Sequence, residues 1–326
     1  MRVARVAFSG LALILGAGAV FTDLMTRRIE ARYPPAGQFL NISGGRLHYV
    51  EAGPPAAEPL GTIVFLHGAS SNQADAMLAI GRQLAERYRV IAMDRPGHGW
   101  SDRLGGAEVS QPARQAALVA EALRKLKVEK AVIVGHSWAG AVVPNLALDH
   151  PDVIGGMVLL APVTHPWPGA GISWYYRPAT SILGWLFART VAPPVGAIFT
   201  DVTIETVFAP QAPPTGYAEA ASVPLVLRPA SFEANAQDVT GLHAAVTAQS
   251  PRYRNIQIPA VVIAGDADRI VWTDIHARAF AREVPQTKLI VLAGVGHMPH
   301  HARKDLVIDE IDALVRRTGE AKLAKP

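Results

Sequence analysis

The stretch VIVGHSWAG, residues 132–140, places Ser137 at the end of a strand-like run, with small residues on both sides. A strand that turns sharply into a helix holds such a serine in a strained backbone conformation with its hydroxyl exposed. The residues two before and two after the serine then approach each other closely, so both must be small. Gly135 and Ala139 occupy these positions, the second of which is glycine in the usual G-x-S-x-G pattern. The stretch predicts a nucleophilic serine, and an ordinary glycine–serine turn is the alternative.

Strand-like apolar runs and helical patterns alternate along most of the chain. Several runs are continuous rather than alternating, as expected of strands covered on both faces. This order predicts an α/β fold, a mostly parallel, doubly wound sheet of about eight strands with helices on both faces. Functional sites in such sheets lie outside the carboxyl ends of the strands. The strand-like runs are 46–53, 62–68, 89–97, 130–137, 156–162, 259–266 and 287–294, and helical stretches are 74–88, 112–127, 276–284 and 304–319.

Residues 1–30 predict a membrane anchor or a signal segment. Within them, Ser9 is the only polar side chain between residues 6 and 21. This apolar run falls between the about 17–25 residues of a spanning helix and the about 7–15 of a signal-peptide core. An uncleaved anchor with the catalytic domain outside the cytoplasm is favoured. A cleaved signal that leaves a secreted or periplasmic protein and a buried soluble helix are the alternatives. Residues 31–37, which contain paired prolines, are interpreted as a linker.

Residues 164–250 break the alternation of strands and helices. They hold 10 of the 22 aromatic residues but only 8 charged residues in 87 positions. A linker would be polar, so this segment is interpreted as a helical cap inserted between two parts of an α/β core, 38–163 and 251–318. Its aromatic residues predict an apolar substrate pocket. Simple packing of the cap is one alternative, and contact of the apolar cap with the bilayer near the anchor is another. The candidate pocket residues are Trp167, Trp174, Tyr175, Trp185 and Phe187.

A second polar segment, FLHGAS at 65–70, also follows a strand-like run. Acyl transfer needs two donors aimed at the oxyanion that forms in the transition state. The backbone N–H groups of Ala69 and Trp138 are the candidates for this oxyanion hole. His67 is interpreted as a structural residue that lies under the loop.

Two later segments complete the candidate site. IAGDADRIV at 263–271 supplies a carboxylate to orient a histidine, with Asp268 favoured over Asp266. VLAGVGHMPHH at 291–301 supplies His297 as the base, since a glycine-rich turn precedes it. The two histidines that follow, His300 and His301, are interpreted as surface or helix-start residues.

The chain order Ser137, Asp268, His297, with each residue just beyond a strand, is more specific than any one motif. Because of this chain order, residues 38–318 resemble the α/β-hydrolase superfamily. The segment DRPGHGWSDR at 94–103 also resembles the stretch that follows an early strand in cap-bearing members of that superfamily. The resemblance implies an eight-stranded sheet, a helical cap after the sixth strand and a cofactor-independent hydrolase. Serine at this turn argues against haloalkane dehalogenase and epoxide hydrolase activity, because those relatives use aspartate as the nucleophile.

The leading functional prediction is a carboxylesterase-like serine hydrolase acting through an acyl-enzyme on a small-molecule acyl substrate. Carbon–carbon bond hydrolysis or a perhydrolase-like activity on the same triad is the first alternative. A non-catalytic accessory protein that binds a small molecule is an alternative of another class. The chain has no cysteine, and its net charge of +4 comes without a basic run, so neither a thiolate site nor nucleic-acid binding is predicted. No metal or cofactor is predicted, and the oligomeric state is left open.

Overall fold

An eight-stranded sheet forms the centre of the protein in the computed structural model. The structure describes residues 2–54, 58–169 and 176–323, and within these ranges it describes the side chains of residues 9 to 319. The spatial order of the strands is β1-β2-β4-β3-β5-β6-β7-β8. Strand β2 runs antiparallel to β1 and β4, and the other pairs are parallel. The strands are β1 Gln38–Ile42, β2 Gly45–Ala52, β3 Thr62–Leu66, β4 Arg89–Met93, β5 Ala131–His136, β6 Ile154–Leu160, β7 Ala260–Gly265 and β8 Thr287–Leu292.

The central strands are buried on both faces because apolar side chains follow one another without interruption. In β3, Val64 and Leu66 belong to one hydrophobic cluster, whereas Ile63 and Phe65 belong to a second cluster. Successive side chains of a strand point to opposite faces, so the two clusters are the two helix-covered sides of the sheet. The mostly parallel α/β architecture predicted from the sequence is therefore confirmed.

Helices connect the strands and cover the sheet. Those of the α/β part are α2 Gln73–Ala76, α3 Arg82–Leu84, α4 Pro112–Lys125, α5 Val142–Asp149, α10 Ala277–Glu283, α11 Pro299–Ala302 and α12 Lys304–Leu323. The N-terminal helix is α1 Arg2–Arg32. Among the described residues between β6 and β7, the α-helices are α6 Gly184–Thr190, α7 Ala192–Phe208, α8 Tyr217–Ala220 and α9 Pro229–Gln249. We call residues 164–250, which contain α6 to α9, the cap segment.

Several element ends shift by up to four residues from the sequence prediction, and three further differences have a physical reason. Strand β1 was not predicted, because five residues with one buried side chain carry little periodic signal. The predicted helix 74–88 contains a π-helical turn at Met77–Gly81 and ends at Leu84. Helix α1 continues two residues into the predicted linker, since Ile29 packs on Leu225 and Leu227 of the cap segment. The helix ends before Pro34, as expected from the restricted backbone of a residue that precedes proline.

Candidate active site

The turn after β5 holds Ser137 in a strained conformation. Its φ is 52°, in the left-handed region, where strain of about 1–3 kcal/mol is typical of functional sites. A Cβ atom on Gly135 would lie 2.6 Å from Val143 Cγ2, so only glycine fits there. A Cβ atom on Gly140 would lie 2.4 Å from Pro162 Cβ, so this position is also restricted to glycine. Ala139, which stands where the usual pattern has glycine, is fully buried in the turn.

Three side chains from three loops meet at the carboxyl end of the sheet. Ser137 Oγ and His297 Nε2 are 2.9 Å apart, and His297 Nδ1 and Asp268 Oδ2 are 2.7 Å apart. All three residues are buried. With its Nδ1–H donating to the carboxylate, the imidazole leaves Nε2 free to accept the serine proton. The arrangement has the geometry that nucleophilic catalysis by serine requires.

The two neighbouring aspartates after β7 have different surroundings. Asp268 Oδ1 accepts hydrogen bonds from the backbone N–H groups of Ile270 and Val271, at 2.8 and 2.9 Å, which fixes the carboxylate beside His297. Asp266 is exposed, and its Oδ1 accepts from the Gly294 N–H at 2.7 Å. The structure therefore brings Asp268 to the histidine and leaves Asp266 as a brace between two loops.

The loop after β3 runs beside the serine. A Cβ atom on Gly68 would lie only 3.0 Å from Ser137 Cβ. For the Ala69 N–H, no hydrogen-bond acceptor is found within the described part of the chain. The next residue, Ser70, has a φ of 54° and donates its N–H to Asn235 Oδ1 of α9. The cap segment thus holds this loop close to Ser137, where a free backbone donor can face a bound substrate.

Arg95 lies under the same loop and was not identified from the sequence. It is buried, donates to the carbonyl oxygens of His67 and Gly68, and forms an ion pair with Asp238 of α9. Its guanidinium lies 4.1 Å from the centre of the Trp138 ring, whose Nε1–H donates to the Asp238 carbonyl oxygen. One arginine therefore connects Trp138 and the two residues before Ala69 to the cap segment.

His67 and His136 are structural histidines at the edge of the site. His67 Nε2 accepts the Arg95 N–H at 2.9 Å, as expected for a residue that supports the loop. Burial lowers the pKa of His67 well below its ordinary value, so the ring stays neutral. His136 Nε2 donates to the backbone oxygen of His297 at 3.0 Å and thereby positions the candidate base. Its place directly before Ser137 is the only signal in the sequence that suggests this role.

A buried carboxylate connects the His297 loop to the cap segment. Asp75 of α2 accepts hydrogen bonds from His300 Nε2 at 3.0 Å, His301 Nε2 at 2.8 Å and the Tyr217 hydroxyl at 2.8 Å. Burial raises the pKa of Asp75, but its interactions with His300 and His301 outweigh that effect and keep the pKa well below its ordinary value. The prediction of surface positions for these histidines was wrong. Both lie in α11, as the helix-start interpretation expected, but their rings turn inward to the carboxylate.

The same three side chains are a candidate cation-binding group by residue type. Ligand-type atoms of Asp75, His300 and His301 lie within 4.8 Å of one another. However, both histidines donate their Nε2–H groups to the carboxylate, so these ligand-type atoms are already paired with one another, while the Nδ1 atoms of His300 and His301 have no hydrogen-bond partner among the described residues. We interpret the group as a positioning network for the His297 loop.

Asp75→Asn is expected to lower the free energy of unfolding by roughly 2–4 kcal/mol, because an amide cannot accept all three buried hydrogen bonds. Urea denaturation of the purified protein, followed by tryptophan fluorescence, measures this change. Asp274→Asn is the matched control, since Asp274 is exposed, lies in the turn before α10 and pairs with Arg278. Equal stability of the two variants would contradict the assignment of Asp75 as a structural centre.

The stability of the protein is expected to fall as the pH decreases from 7 to 5.5. Burial lowers the pKa of three histidines, His67, His98 and His136, well below its ordinary value, so they stay neutral in the folded chain. Below about pH 6.5 the unfolded chain protonates them and the folded chain does not, which costs about 1 kcal/mol per histidine over one pH unit. Urea midpoints at pH 5.5, 7 and 8.5 measure the effect, and no change is expected between the upper two. A constant midpoint throughout would contradict it.

The predicted pocket aromatics do not act as one group. Trp167 packs against the main core and against His276, and Phe187 packs with Tyr176 and Phe232 around Ala69. The prediction that Trp185 lines the pocket was wrong, because its side chain is 59% exposed and stacks on Arg189. The reason is that α6 turns its Phe187 side inward and its Trp185 side outward. Trp174 and Tyr175 lie outside the described residues.

Comparison with protein-family models matches residues 61–303 to the alpha/beta hydrolase fold. This range includes Ser137, Asp268 and His297. It begins just before β3 and ends just after α11, so it spans most of the sheet and the whole cap segment.

Among curated proteins, the chain is 35% identical over 129 residues to the dihydrolipoyllysine-residue acetyltransferase component of the acetoin cleaving system of Cupriavidus necator. That match covers 39% of this chain, and the chain spans only 32% of that relative. A 2-(acetamidomethylene)succinate hydrolase of Mesorhizobium japonicum is 27% identical over 260 residues, which are 76% of this chain and 86% of the relative.

Among solved structures, a membrane phospholipase A, a bacterial virulence factor, superposes with a TM-score of 0.67 at 21% identity. The superposition covers 98% of this chain and 99% of the other, so it extends over α1 as well as the sheet. At this identity the similarity establishes a common fold.

Proposed function

The chain belongs to the alpha/beta hydrolase fold family, and we propose that it is a serine hydrolase that cleaves a carboxylic ester of a largely apolar substrate through an acyl-enzyme. The observation that carries this proposal is the pair of contacts from His297, at 2.9 Å to Ser137 Oγ and at 2.7 Å to Asp268 Oδ2. The positive φ of Ser137 strains the backbone, and this strain has a use at a nucleophile, because the sharp turn directs the hydroxyl to the neighbouring histidine.

In the proposed first half-reaction, His297 Nε2 takes the Ser137 proton while Oγ attacks the acyl carbon. Asp268 holds the imidazole in the tautomer that has its proton on Nδ1 and stabilises the imidazolium that forms. The backbone N–H groups of Ala69 and Trp138 stabilise the oxyanion, and His297 then gives its proton to the departing alcohol.

In the second half-reaction, water replaces the alcohol. His297 Nε2 takes a proton from the water, the hydroxide attacks the acyl carbon, and the carboxylic acid leaves as Ser137 recovers its proton. Every step uses one imidazole in alternating base and acid roles, so no metal or cofactor is needed.

The preference for an apolar substrate is inferred from the side chains around the candidate oxyanion hole. Ala69 packs against a cluster of the cap segment that contains Tyr176, Phe187 and Phe232. Pockets lined by such side chains bind apolar parts of ligands and leave orientation to a few polar groups.

We propose further that α1 anchors the protein in a membrane. Among the described residues, Ser9–Arg32 is a helix long and apolar enough to span a bilayer, and little of it is buried against the rest of the protein. A signal sequence near the N-terminus has the same properties. The membrane phospholipase A that superposes over 98% of this chain supports the anchor.

The test is covalent labelling of the detergent-solubilised protein with a fluorophosphonate, combined with hydrolysis of 4-nitrophenyl esters of increasing acyl length. Labelling together with higher kcat/KM for longer acyl chains supports the proposal. Labelling without ester turnover would redirect the assignment to carbon–carbon bond hydrolysis or perhydrolysis. A folded protein that is not labelled would favour a non-catalytic binding protein.

A further inference from the structure

We propose that α6 and α7 of the cap segment are embedded in the same lipid bilayer as α1, so that the protein has two contacts with the membrane. This inference rests on the proposed anchor role of α1 but not on the proposed chemistry. Its occupant is a lipid bilayer, because the surface concerned continues directly from the helix that has the length and composition of a membrane span.

The outer surface of α6 and α7 is apolar to a degree that is unusual for a protein face in water. Large apolar side chains are exposed along both helices and in the residues just before them, and charged side chains are sparse there. The fully exposed side chain of Ile182 is the extreme case, at 101% of its reference area. The exposed residues are Ile182, Leu183, Trp185, Val191, Val195, Ile198, Phe199 and Val202.

The position of α1 sets the depth of this surface. A Cβ atom on Gly18 of α1 would lie 2.5 Å from the backbone oxygen of Thr190, so the junction of α6 and α7 touches α1 at Gly18. Gly18 lies inside the apolar run 6–21. It is five residues before Asp23, a distance of about 7.5 Å along the helix axis. If α1 spans the bilayer, the junction therefore lies at the level of the acyl chains.

The shape of the helix pair suits partial insertion. Helices α6 and α7 are bent by 61° at their junction. Only the two helices together, and not either one alone, are as long and apolar as a membrane-spanning helix. Neither helix alone spans the full hydrocarbon core of about 30 Å without tilt or thinning of the bilayer, since the 17 residues of α7 extend about 26 Å and the seven of α6 about 10 Å. Two helices bent at a short break in this way form either a broken span or a re-entrant loop.

The threonine hydroxyl groups of the pair are satisfied within the helices, as a bilayer requires, and Arg189 forms an ion pair with Glu233 of α9. At the junction, the Val191 N–H donates to the Phe187 oxygen at 3.0 Å. Hydroxyl groups of α6 and α7 donate to carbonyl oxygens four residues earlier, from Thr190, Thr200, Thr203 and Thr206. The exposed carboxylates Asp201 and Glu205 lie in the C-terminal half of α7, which places that end at the headgroups.

The opposite side of α6 faces the candidate active site. Phe187 packs with Tyr176 and Phe232 in the cluster that includes Ala69. Trp185, whose exposure excludes it from the pocket, becomes an anchor at the membrane interface, where tryptophan is enriched. A single short helix therefore separates the bilayer from the candidate oxyanion loop.

Depth-dependent quenching tests the inference on the full chain. The chain has no cysteine, so single substitutions give a unique site for a fluorescent dye that responds to polarity. Ile198→Cys reports on α7, Ile14→Cys reports on α1, and Asn255→Cys, exposed on the α/β core, is the control in water. Each labelled protein is reconstituted into phosphatidylcholine vesicles with or without nitroxide groups on the acyl chains.

We expect the dyes at 14 and 198 to be blue-shifted and to lose most of their fluorescence to the nitroxide lipids, while the dye at 255 is unaffected. Quenching at 14 but not at 198 would overturn the inference and leave the anchor intact. Quenching at neither position would overturn both the inference and the anchor. Fluorophosphonate labelling of the same samples reports on folding and on the proposed chemistry independently, so failure of one proposal is distinguishable from failure of the other.

Discussion

Ser137→Ala is expected to lower kcat/KM for ester hydrolysis by about ten-thousand-fold or more and to abolish fluorophosphonate labelling. The reason is that the Oγ atom 2.9 Å from His297 Nε2 is the proposed nucleophile, and alanine offers no atom that can form the acyl-enzyme. The remaining activity would come from the oxyanion donors and from water activated by His297. Steady-state kinetics on a short 4-nitrophenyl ester, with active-site titration, measures the loss.

The matched control is Ser222→Ala. Ser222 also has a left-handed backbone, with a φ of 52°, but it lies in the cap segment before a 3₁₀ helix and not at the triad. Alanine at either position keeps the backbone strain, so the two variants differ only in which hydroxyl is removed. We expect Ser222→Ala to retain labelling and turnover. Retention of labelling by a folded Ser137→Ala protein would contradict the assignment of the nucleophile.

The parts of the site that the sequence predicts are those coded by a few adjacent residues. The turn at Ser137 needs small residues at fixed offsets from the serine. Each of the three candidate triad residues follows directly after a strand, in one fixed chain order. Seven of the eight strands are predictable for a similar reason, because unbroken apolar runs have few other uses in a soluble domain. Such features are local in the sequence, so they can be recognised without knowledge of the tertiary fold.

The parts that the sequence does not predict depend on residues far apart in the chain. Asp75 and His300 are separated by 225 positions, and Arg95 and Asp238 by 143, so neither pair leaves a pattern in any short segment. The direction of Trp185 also depends on tertiary contacts, since α6 is too short to show which side packs inward. Composition predicts an apolar cap, and only packing decides which side chains face the site.

Asp268→Asn is expected to lower kcat by about ten-thousand-fold while KM changes little, because Asp268 acts on His297 and not on the substrate. The surrounding hydrogen bonds dictate how the amide lies. The Oδ1 position accepts two backbone N–H groups, from Ile270 and Val271, so the amide oxygen stays there and the NH₂ group faces His297 Nδ1. The imidazole must then carry its proton on Nε2, where it cannot accept the proton of Ser137.

Asp266→Asn provides the matched control, with the same substitution two residues away. Its amide oxygen can still accept the Gly294 N–H, and no contact to His297 changes, so kcat should stay within a few-fold of the wild type. Stopped-flow labelling with a fluorophosphonate separates the acylation step from product release, and the loss in Asp268→Asn should appear fully in acylation. A large loss of kcat in Asp266→Asn together with a small loss in Asp268→Asn would assign the orienting carboxylate to Asp266. Equal, small losses in both would mean that His297 acts without a carboxylate partner, although the 2.7 Å contact to Asp268 Oδ2 is the shortest that the imidazole makes.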